Sequence, residues 1–278
     1  MKYDGIVIYS DLDGTLLNDK RELLKENMDA ISHFVSQGGS FAVATGRMER
    51  TTLINFPQLA INCPSIFFNG ALVFDVNTQE VLCSTFMPEG LAPVMQEIFY
   101  RYPTACLEIN VHGKAYVFNL NDIVRAQIKR EGIEVVEGSW QEIPENWLKV
   151  LFADKHEVLE KIKADLDGLG RKDINVMFSE HELLDIVSSD VSKGMALKKL
   201  RTLYKNKWKL VVAVGDNDND YDMLKQSDLS IAVSNATPKV KSVSDYIISH
   251  HNIPCIPQVL EILGSYLKHT GLKEGNCW

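Results

Sequence analysis

The chain has 278 residues, of which 45 % are hydrophobic and 24 % are charged, and this is ordinary for a globular protein with room for two domains. Its net charge of −8 argues against nucleic acid or an anionic membrane as the main partner. The five cysteines are scattered without C-x-x-C spacing, and no signal-peptide pattern is present. We therefore expect a cytoplasmic protein without a disulfide framework, a zinc site or a membrane span.

The first part of the chain alternates strands with helices. Short apolar runs predict strands at 6–9, 41–44 and 65–68, and helical spacing of apolar residues predicts a helix over 21–37. A second helix is expected to begin at about residue 48. Because such alternation implies right-handed crossovers, we expect these strands to form a parallel sheet.

The middle of the chain has a different pattern. A hairpin is predicted between 71–74 and 80–86, across a turn-rich segment. Mixed strand pairs and helices then indicate a separate α+β domain, which we place at 84–190. Its predicted helices are 91–101, 122–131 and 156–169, and its predicted strands are 106–111, 115–119, 148–153, 174–179 and 183–187.

The first pattern returns in the last part of the chain. We predict helices over 193–204 and 256–267, strands at 209–214, 229–233 and 246–248, and a loose tail at 274–278. The fold class is therefore α/β. A Rossmann-like parallel-sheet core is expected from 1–83 and 191–278, with the α+β domain inserted between them.

Four short segments carry residues suited to phosphate chemistry, and three of them follow a predicted strand. The segments are Asp11-Leu12-Asp13-Gly14-Thr15, Thr45-Gly46, Lys193 and Gly215-Asp216-Asn217-Asp218-Asn219-Asp220. In an open parallel sheet, ligands bind beyond the carboxyl ends of the strands. We therefore expect these segments to meet at one crevice.

The residue types fit phosphoryl transfer with a divalent cation. Asp11 and Asp216 are hard oxygen ligands suited to Mg²⁺. A carboxylate nucleophile such as Asp11 gives an aspartyl-phosphate, and Asp13 could protonate the leaving oxygen and later take a proton from water. The hydroxyl of Thr45 and the ammonium of Lys193 suit a phosphate group.

Each segment alone also has an ordinary explanation, because Asp and Gly are common in turns. A calcium-binding loop starting at Asp216 fails on spacing, since Tyr221 and Ser227 stand where Gly and Glu are needed. The pair His250-His251 lacks a third metal ligand at usable spacing, so we expect it to be structural. A P-loop kinase is disfavoured because its signature is absent.

Together, the segments resemble the motifs of the haloacid dehalogenase-like superfamily. The closest pattern is that of its Cof-type phosphatases, with a C2B-type cap inserted after the second motif. Residues 11–16 match the first motif, Thr45 the second, Lys193 the third and 215–220 the fourth. Asn69-Gly70-Ala71 resembles the family segment that follows the third strand.

The resemblance implies a role for each matching position. Asp11 would be the nucleophile and Asp13 the acid/base, with Mg²⁺ on Asp11, the backbone carbonyl of Asp13 and Asp216. Asn219 would contact the phosphate or a metal-bound water, and Asp220 would orient Lys193 or such a water. Phosphate contacts are expected from Thr45, Gly46, Lys193 and Asn219, with support from Asp220 and Asn69.

We therefore expect a magnesium-dependent phosphomonoester hydrolase of small soluble phosphates. The resemblance places sugar phosphates first, ahead of nucleotides and pyridoxal phosphate, and implies a cap that closes over the site and contacts the substrate. A phosphohexomutase with the same nucleophile and a non-catalytic regulator that binds a phosphorylated metabolite are the alternatives. The sequence leaves the natural substrate, the cap residues that set specificity and the oligomeric state open.

Overall fold

The computed structural model describes residues 1–270, which form two compact units. The first unit comprises Met1–Gly46, Phe56–Cys83 and 192–270, and the second comprises Arg47–Asn55 and Ser84–Val191. The predicted loose tail at 274–278 lies outside the described residues.

Strands and helices are numbered in chain order over residues 1–270. The strands are β1 Ile6–Ser10, β2 Ser40–Val43, β3 Ser65–Phe67, β4 Leu72–Asp75, β5 Glu80–Ser84, β6 Cys106–Val111, β7 Lys114–Phe118, β8 Val135–Glu137, β9 Lys149–Ala153, β10 Ile174–Glu180, β11 Leu183–Ser188, β12 Leu210–Gly215, β13 Leu229–Val233 and β14 Tyr246–Ile248. The α-helices are α1 Lys25–Ser36, α2 Glu49–Asn55, α3 Leu91–Arg101, α4 Asp122–Glu131, α5 His156–Gly168, α6 Lys193–Leu203, α7 Tyr221–Lys225, α8 Pro238–Lys241 and α9 Cys255–Thr270.

A five-stranded sheet in the order β14-β13-β12-β1-β2 lies at the centre of the first unit. All four neighbouring pairs are parallel, and β1 and β12 are buried along their whole length. Continuous apolar runs of this kind are typical of parallel strands that are covered on both faces. The predicted fold class is confirmed, and the carboxyl ends of β1, β12 and β13 lie side by side at one edge of the sheet.

The third predicted strand does not join the parallel sheet as a full member. Strand β3 pairs antiparallel with β4, and a single bridge from Ala44 to Ile66 connects it to the chain that follows β2. Phe68 and Asn69 have φ angles of 49° and 57°, which end the strand and turn the chain back. The predicted hairpin then follows as β4 and β5.

The second unit contains a six-stranded sheet in the order β10-β11-β9-β6-β7-β8. Its pairs are antiparallel except β7 with β8. Residues of α3 and α5 pack on one face, against side chains such as Phe152 and Ile186, and Val124 of α4 packs on the other face with Cys106 and Leu151. This is a mixed α+β unit of the predicted kind.

Two features of the second unit were absent from the sequence prediction. Strand β8 contains only two apolar residues, which is too short for a periodic signal. Residues 47–55 belong to this unit, although the sequence boundary placed the inserted domain at 84–190. The prediction that residues 84–190 form an independent inserted domain stays a prediction. Within residues 1–270, no helix combines the length and the apolar character that crossing a bilayer requires.

Candidate active site

The first and fourth motif segments meet because β1 and β12 are neighbours. Asp11 directly follows β1, and its backbone N–H donates to the carbonyl oxygen of Val214 in β12 at 3.0 Å. Asp216 directly follows β12. The predicted convergence of these two segments at one edge of the sheet is therefore seen in the structure.

Lys193, the first residue of α6, joins two carboxylates in the interior. Its Nζ lies 2.6 Å from Oδ1 of Asp11 and 2.7 Å from Oδ1 of Asp220, and its side chain is 0 % exposed. Burial alone disfavours the charged amine, but the two carboxylates outweigh it and raise the pKa of Lys193 above its ordinary value. Lys193 therefore carries its positive charge at neutral pH and holds it beside Asp11.

Asp220 also shapes the loop that carries Asp216. Its Oδ2 accepts from the backbone N–H groups of Asp216 at 3.0 Å and Asn217 at 3.1 Å, while its Oδ1 accepts from Lys193. Asn217 completes a capping box at this short helical turn. Both oxygens of Asp220 are thus occupied by protein donors, which fits the supporting position that the sequence predicted for it.

Three acidic side chains form a cluster with the composition of a cation site. Carboxylate oxygens of Asp11, Asp216 and Asp220 lie within 4.8 Å of one another. Burial raises the pKa of Asp11 well above its ordinary range despite Lys193, and burial together with the charge of Asp220 raises the pKa of Asp216 to about 6. One ammonium among three carboxylates leaves excess negative charge, so the donor set fits a divalent metal ion.

The turn at Gly14 lets the two acidic loops approach closely. Gly14 has a φ angle of 81°, and a Cβ atom added there would lie 2.6 Å from Oδ2 of Asp216. Thr15 donates its hydroxyl to Oδ1 of Asp216 at 2.8 Å. Asp13, between Asp11 and Gly14, is exposed, which suits a group that exchanges protons with a ligand or water.

The remaining predicted positions form a second linked group. The N–H of Asn69 donates to the carbonyl oxygen of Thr45 at 3.0 Å, and the Nδ2 of Asn219 donates to Oδ1 of Asn69 at 2.9 Å. A Cβ atom at Gly46 would lie 3.0 Å from Oδ1 of Asn69. Asn69 therefore connects the second-motif loop to the fourth-motif loop, and the phosphate contacts of this group stay predictions.

Sequence reasoning missed residues that hold these loops in place. Asn235 donates its Nδ2 to the carbonyl oxygen of Gly14 at 2.8 Å, and the N–H of Thr237 donates to the carbonyl oxygen of Asp216 at 2.8 Å. A Thr followed by Pro238 is a helix-start signal, and Thr237 does cap α8. That signal predicts the helix, but it carries no information on the distant loop that the segment contacts.

Comparison with known proteins identifies one family. Residues 8–260 match the family described as haloacid dehalogenase-like hydrolase. The 5-amino-6-(5-phospho-D-ribitylamino)uracil phosphatase YitU of Bacillus subtilis is 23 % identical, covering 88 % of this chain and 92 % of that protein. The pyridoxal phosphate phosphatase YbhA of Escherichia coli is 26 % identical, covering 91 % of this chain and 97 % of that protein.

A solved structure shows the same fold. A haloacid dehalogenase-like hydrolase from Bacteroides thetaiotaomicron superposes with a TM-score of 0.85 at 23 % identity, covering 94 % of this chain and all of the other. The family match extends over most of the chain and includes the first, second, third and fourth motif segments. The chain belongs to the haloacid dehalogenase-like hydrolase family and is an enzyme of its phosphatase type.

Proposed function

We propose that this enzyme is a magnesium-dependent phosphomonoester hydrolase that works through an aspartyl-phosphate on Asp11. The observation that carries the proposal is the environment of Asp11. Its side chain is buried, its Oδ1 accepts a hydrogen bond from Nζ of Lys193 at 2.6 Å, and it lies in a cluster with the carboxylates of Asp216 and Asp220. A buried carboxylate with the ammonium of Lys193 beside it and further carboxylates that can bind a metal ion is suited to attack on a phosphate dianion.

Asp11 and Asp13 divide the covalent chemistry. A carboxylate oxygen of Asp11 forms a bond to phosphorus while the bond from phosphorus to the ester oxygen breaks, and Asp13 gives its proton to the departing alcohol. Water then attacks phosphorus, Asp13 takes a proton from that water, and the Asp11 carboxylate leaves with its electron pair. The exposed position of Asp13, two residues after the buried Asp11, supports this division of roles.

The metal would be held by Asp11, the backbone carbonyl of Asp13 and Asp216. Asp220 is unsuited as a ligand because Lys193 and two backbone N–H groups already occupy its oxygens. When bound, the ion supplies positive charge that offsets repulsion between the carboxylates and the phosphate. Hard carboxylate oxygens, a small ligand set and a phosphate substrate favour Mg²⁺.

The phosphate group would be bound by residues from three segments. Lys193 supplies a positive charge, the hydroxyl of Thr45 and the backbone at Gly46 supply donors, and Asn219 supplies an amide that Asn69 already holds in place. Electrostatic positioning of this kind provides most of the catalysis in phosphoryl transfer.

Sugar phosphates lead as the substrate class, followed by nucleotides and pyridoxal phosphate. Two relatives are phosphatases of small phosphorylated molecules by name, one of a ribitylamino-uracil phosphate and one of pyridoxal phosphate. The chain's net charge of −8 makes a small soluble substrate a better match than a polyanion. From the scattered cysteines and the lack of a signal-peptide pattern, we place the enzyme in the cytoplasm.

A phosphate-release screen with and without Mg²⁺ tests the proposal. We expect release from at least one sugar phosphate, nucleotide or cofactor phosphate, loss of release in EDTA, and loss of release in Asp11→Asn with the fold retained by circular dichroism. Asp4→Asn, an exposed aspartate on the same unit, serves as the matched control and should keep full activity. Wild-type turnover in a clean Asp11→Asn preparation would refute the covalent step.

A further inference from the structure

The loop between β13 and α8, residues 234–237, lies beside both acidic loops. Strand β13 pairs with β12 and β12 pairs with β1, all in parallel, so the loops that follow these strands are neighbours at one edge of the sheet. The loop after β1 carries Asp11 and Asp13, and the loop after β12 carries Asp216. Residues 234–237 are placed where they can contact both.

The loop bonds to the backbone of each acidic loop. Asn235 donates its Nδ2 to the carbonyl oxygen of Gly14 at 2.8 Å, and the N–H of Thr237 donates to the carbonyl oxygen of Asp216 at 2.8 Å. The hydroxyl of Thr237 also donates to Oδ1 of Asp218 at 2.9 Å. The loop therefore joins the residue after Asp13 to the Asp216 segment.

The amide of Asn235 is fixed at both of its atoms. Its Oδ1 accepts from the backbone N–H of His251 at 3.1 Å, and the imidazole of His251 lies 2.8 Å from Oδ1 of Asp19. A carbonyl oxygen can only accept and a backbone N–H can only donate, so these partners allow one orientation of the amide. The Nδ2 group is thereby held toward Gly14.

We propose that Asn235 is a positioning residue that sets the separation of the two acidic loops and makes the metal site prefer Mg²⁺ over the larger Ca²⁺. The inference rests on the proposed function, because it takes Asp11, Asp13 and Asp216 as the ligands. Mg²⁺ requires near-ideal octahedral geometry at about 2.0–2.1 Å, whereas Ca²⁺ accepts about 2.3–2.6 Å in flexible geometry. Loops that are held together favour the smaller ion, and loosened loops lose that preference.

Calorimetric titration of the metal-stripped protein with Mg²⁺ and with Ca²⁺ tests the inference without any substrate. Residues that support metal ligands typically change affinity by about 10–100-fold, so we expect Asn235→Ala to weaken Mg²⁺ binding by at least about 10-fold. Ca²⁺ binding should weaken by less than about 3-fold, because its geometry adapts. Asn77→Ala, at an exposed turn of the first unit, is the matched control and should leave both affinities unchanged.

Two outcomes would overturn the inference: Mg²⁺ affinity of the variant within about twofold of wild type, or equal losses for both ions. Asn235→Asp is the second variant, for the case in which the alanine variant does not fold. Aspartate has the shape of asparagine and can still accept the hydrogen bond from the N–H of His251, but it cannot donate to the carbonyl oxygen of Gly14. Absence of Mg²⁺ binding in the wild-type protein would instead count against the proposed metal site itself.

Discussion

The environment of Asp216 disfavours the ionised form of its side chain. Burial and the neighbouring Asp220 raise the pKa of Asp216 from 3.8 to about 6. Between these two pH values, Asp216 is ionised in the unfolded chain but still protonated in the folded protein. Its contribution to the free energy of unfolding is therefore fully present below about pH 4 and is lost as the pH rises to about 6. A pKa difference of about 2 corresponds to on the order of 3 kcal/mol.

We therefore expect the metal-free protein to lose unfolding free energy between about pH 4 and pH 6, and Asp216→Asn to lose less of it. Urea unfolding in EDTA across this range measures the difference between the two proteins. In the proposed metal site the ligand is the ionised form of Asp216, so added Mg²⁺ should stabilise wild type increasingly over the same interval. Identical pH dependence of the unfolding free energy in wild type and Asp216→Asn would show that the raised pKa of Asp216 is not its cause. Asp4→Asn, a substitution of an exposed aspartate, is the control.

At the scale of single elements, α2 is attached to the second unit by a buried carboxylate. Glu49 is 3 % exposed, and its Oε1 accepts from the backbone N–H of Gly113 at 2.7 Å and lies 3.0 Å from Nδ1 of His112. Burial raises the pKa of Glu49, and these bonds only partly oppose the effect. A helix of seven residues has little stability of its own, so its placement depends on tertiary contacts such as this one.

Glu49→Ala should lower the unfolding free energy by about 2 kcal/mol, because it removes hydrogen bonds to a charged group. Arg50→Ala is the matched control in the same helix. Its ion pair with Glu134 is exposed on both sides, and such pairs contribute less than about 1 kcal/mol. Denaturant unfolding of the two variants at pH 7 compares them, and an equal effect would show that Glu49 has no special part in holding α2.

The contact of Glu49 with Gly113 could not be predicted from the sequence, whereas several strands could. Strand β6 was predicted at 106–111 and is found there, because its apolar residues alternate with Glu108 and Asn110, and such alternation is a local strand signal. The contacts of α2 within the second unit include the hydrogen bond from Gly113 to Glu49, which joins residues 64 positions apart and which no local pattern contains. Likewise, the side-by-side placement of Asp11 and Asp216 follows from parallel strands, whereas Asn235 reads locally as an ordinary turn residue.

At the scale of the whole molecule, the chain passes between the two units four times. It leaves the first unit after Gly46, returns at Phe56, leaves again after Cys83 and returns at Ser192. The first unit is therefore assembled from three stretches of chain. The second unit is one long stretch, Ser84–Val191, together with the short segment that contains α2.

The long stretch holds a hydrophobic core of its own. The buried members of its main cluster run from Met87 to Ile186, and none comes from the segment 47–55. All five strand pairs of its six-stranded sheet also lie within the stretch. By the usual criterion of a separate core, the fragment 84–191 should be able to fold alone.

We expect the isolated fragment 84–191 to unfold in one cooperative transition in urea, followed by circular dichroism and by fluorescence of its two tryptophans, Trp140 and the buried Trp147. Because the fragment lacks Glu49, it should be less stable than a version in which 47–55 is added through a flexible linker. The matched comparison is the same linked version carrying Glu49→Ala, which should fall back toward the fragment alone. A fragment without a cooperative transition in either form would show that the second unit depends on the first unit to fold.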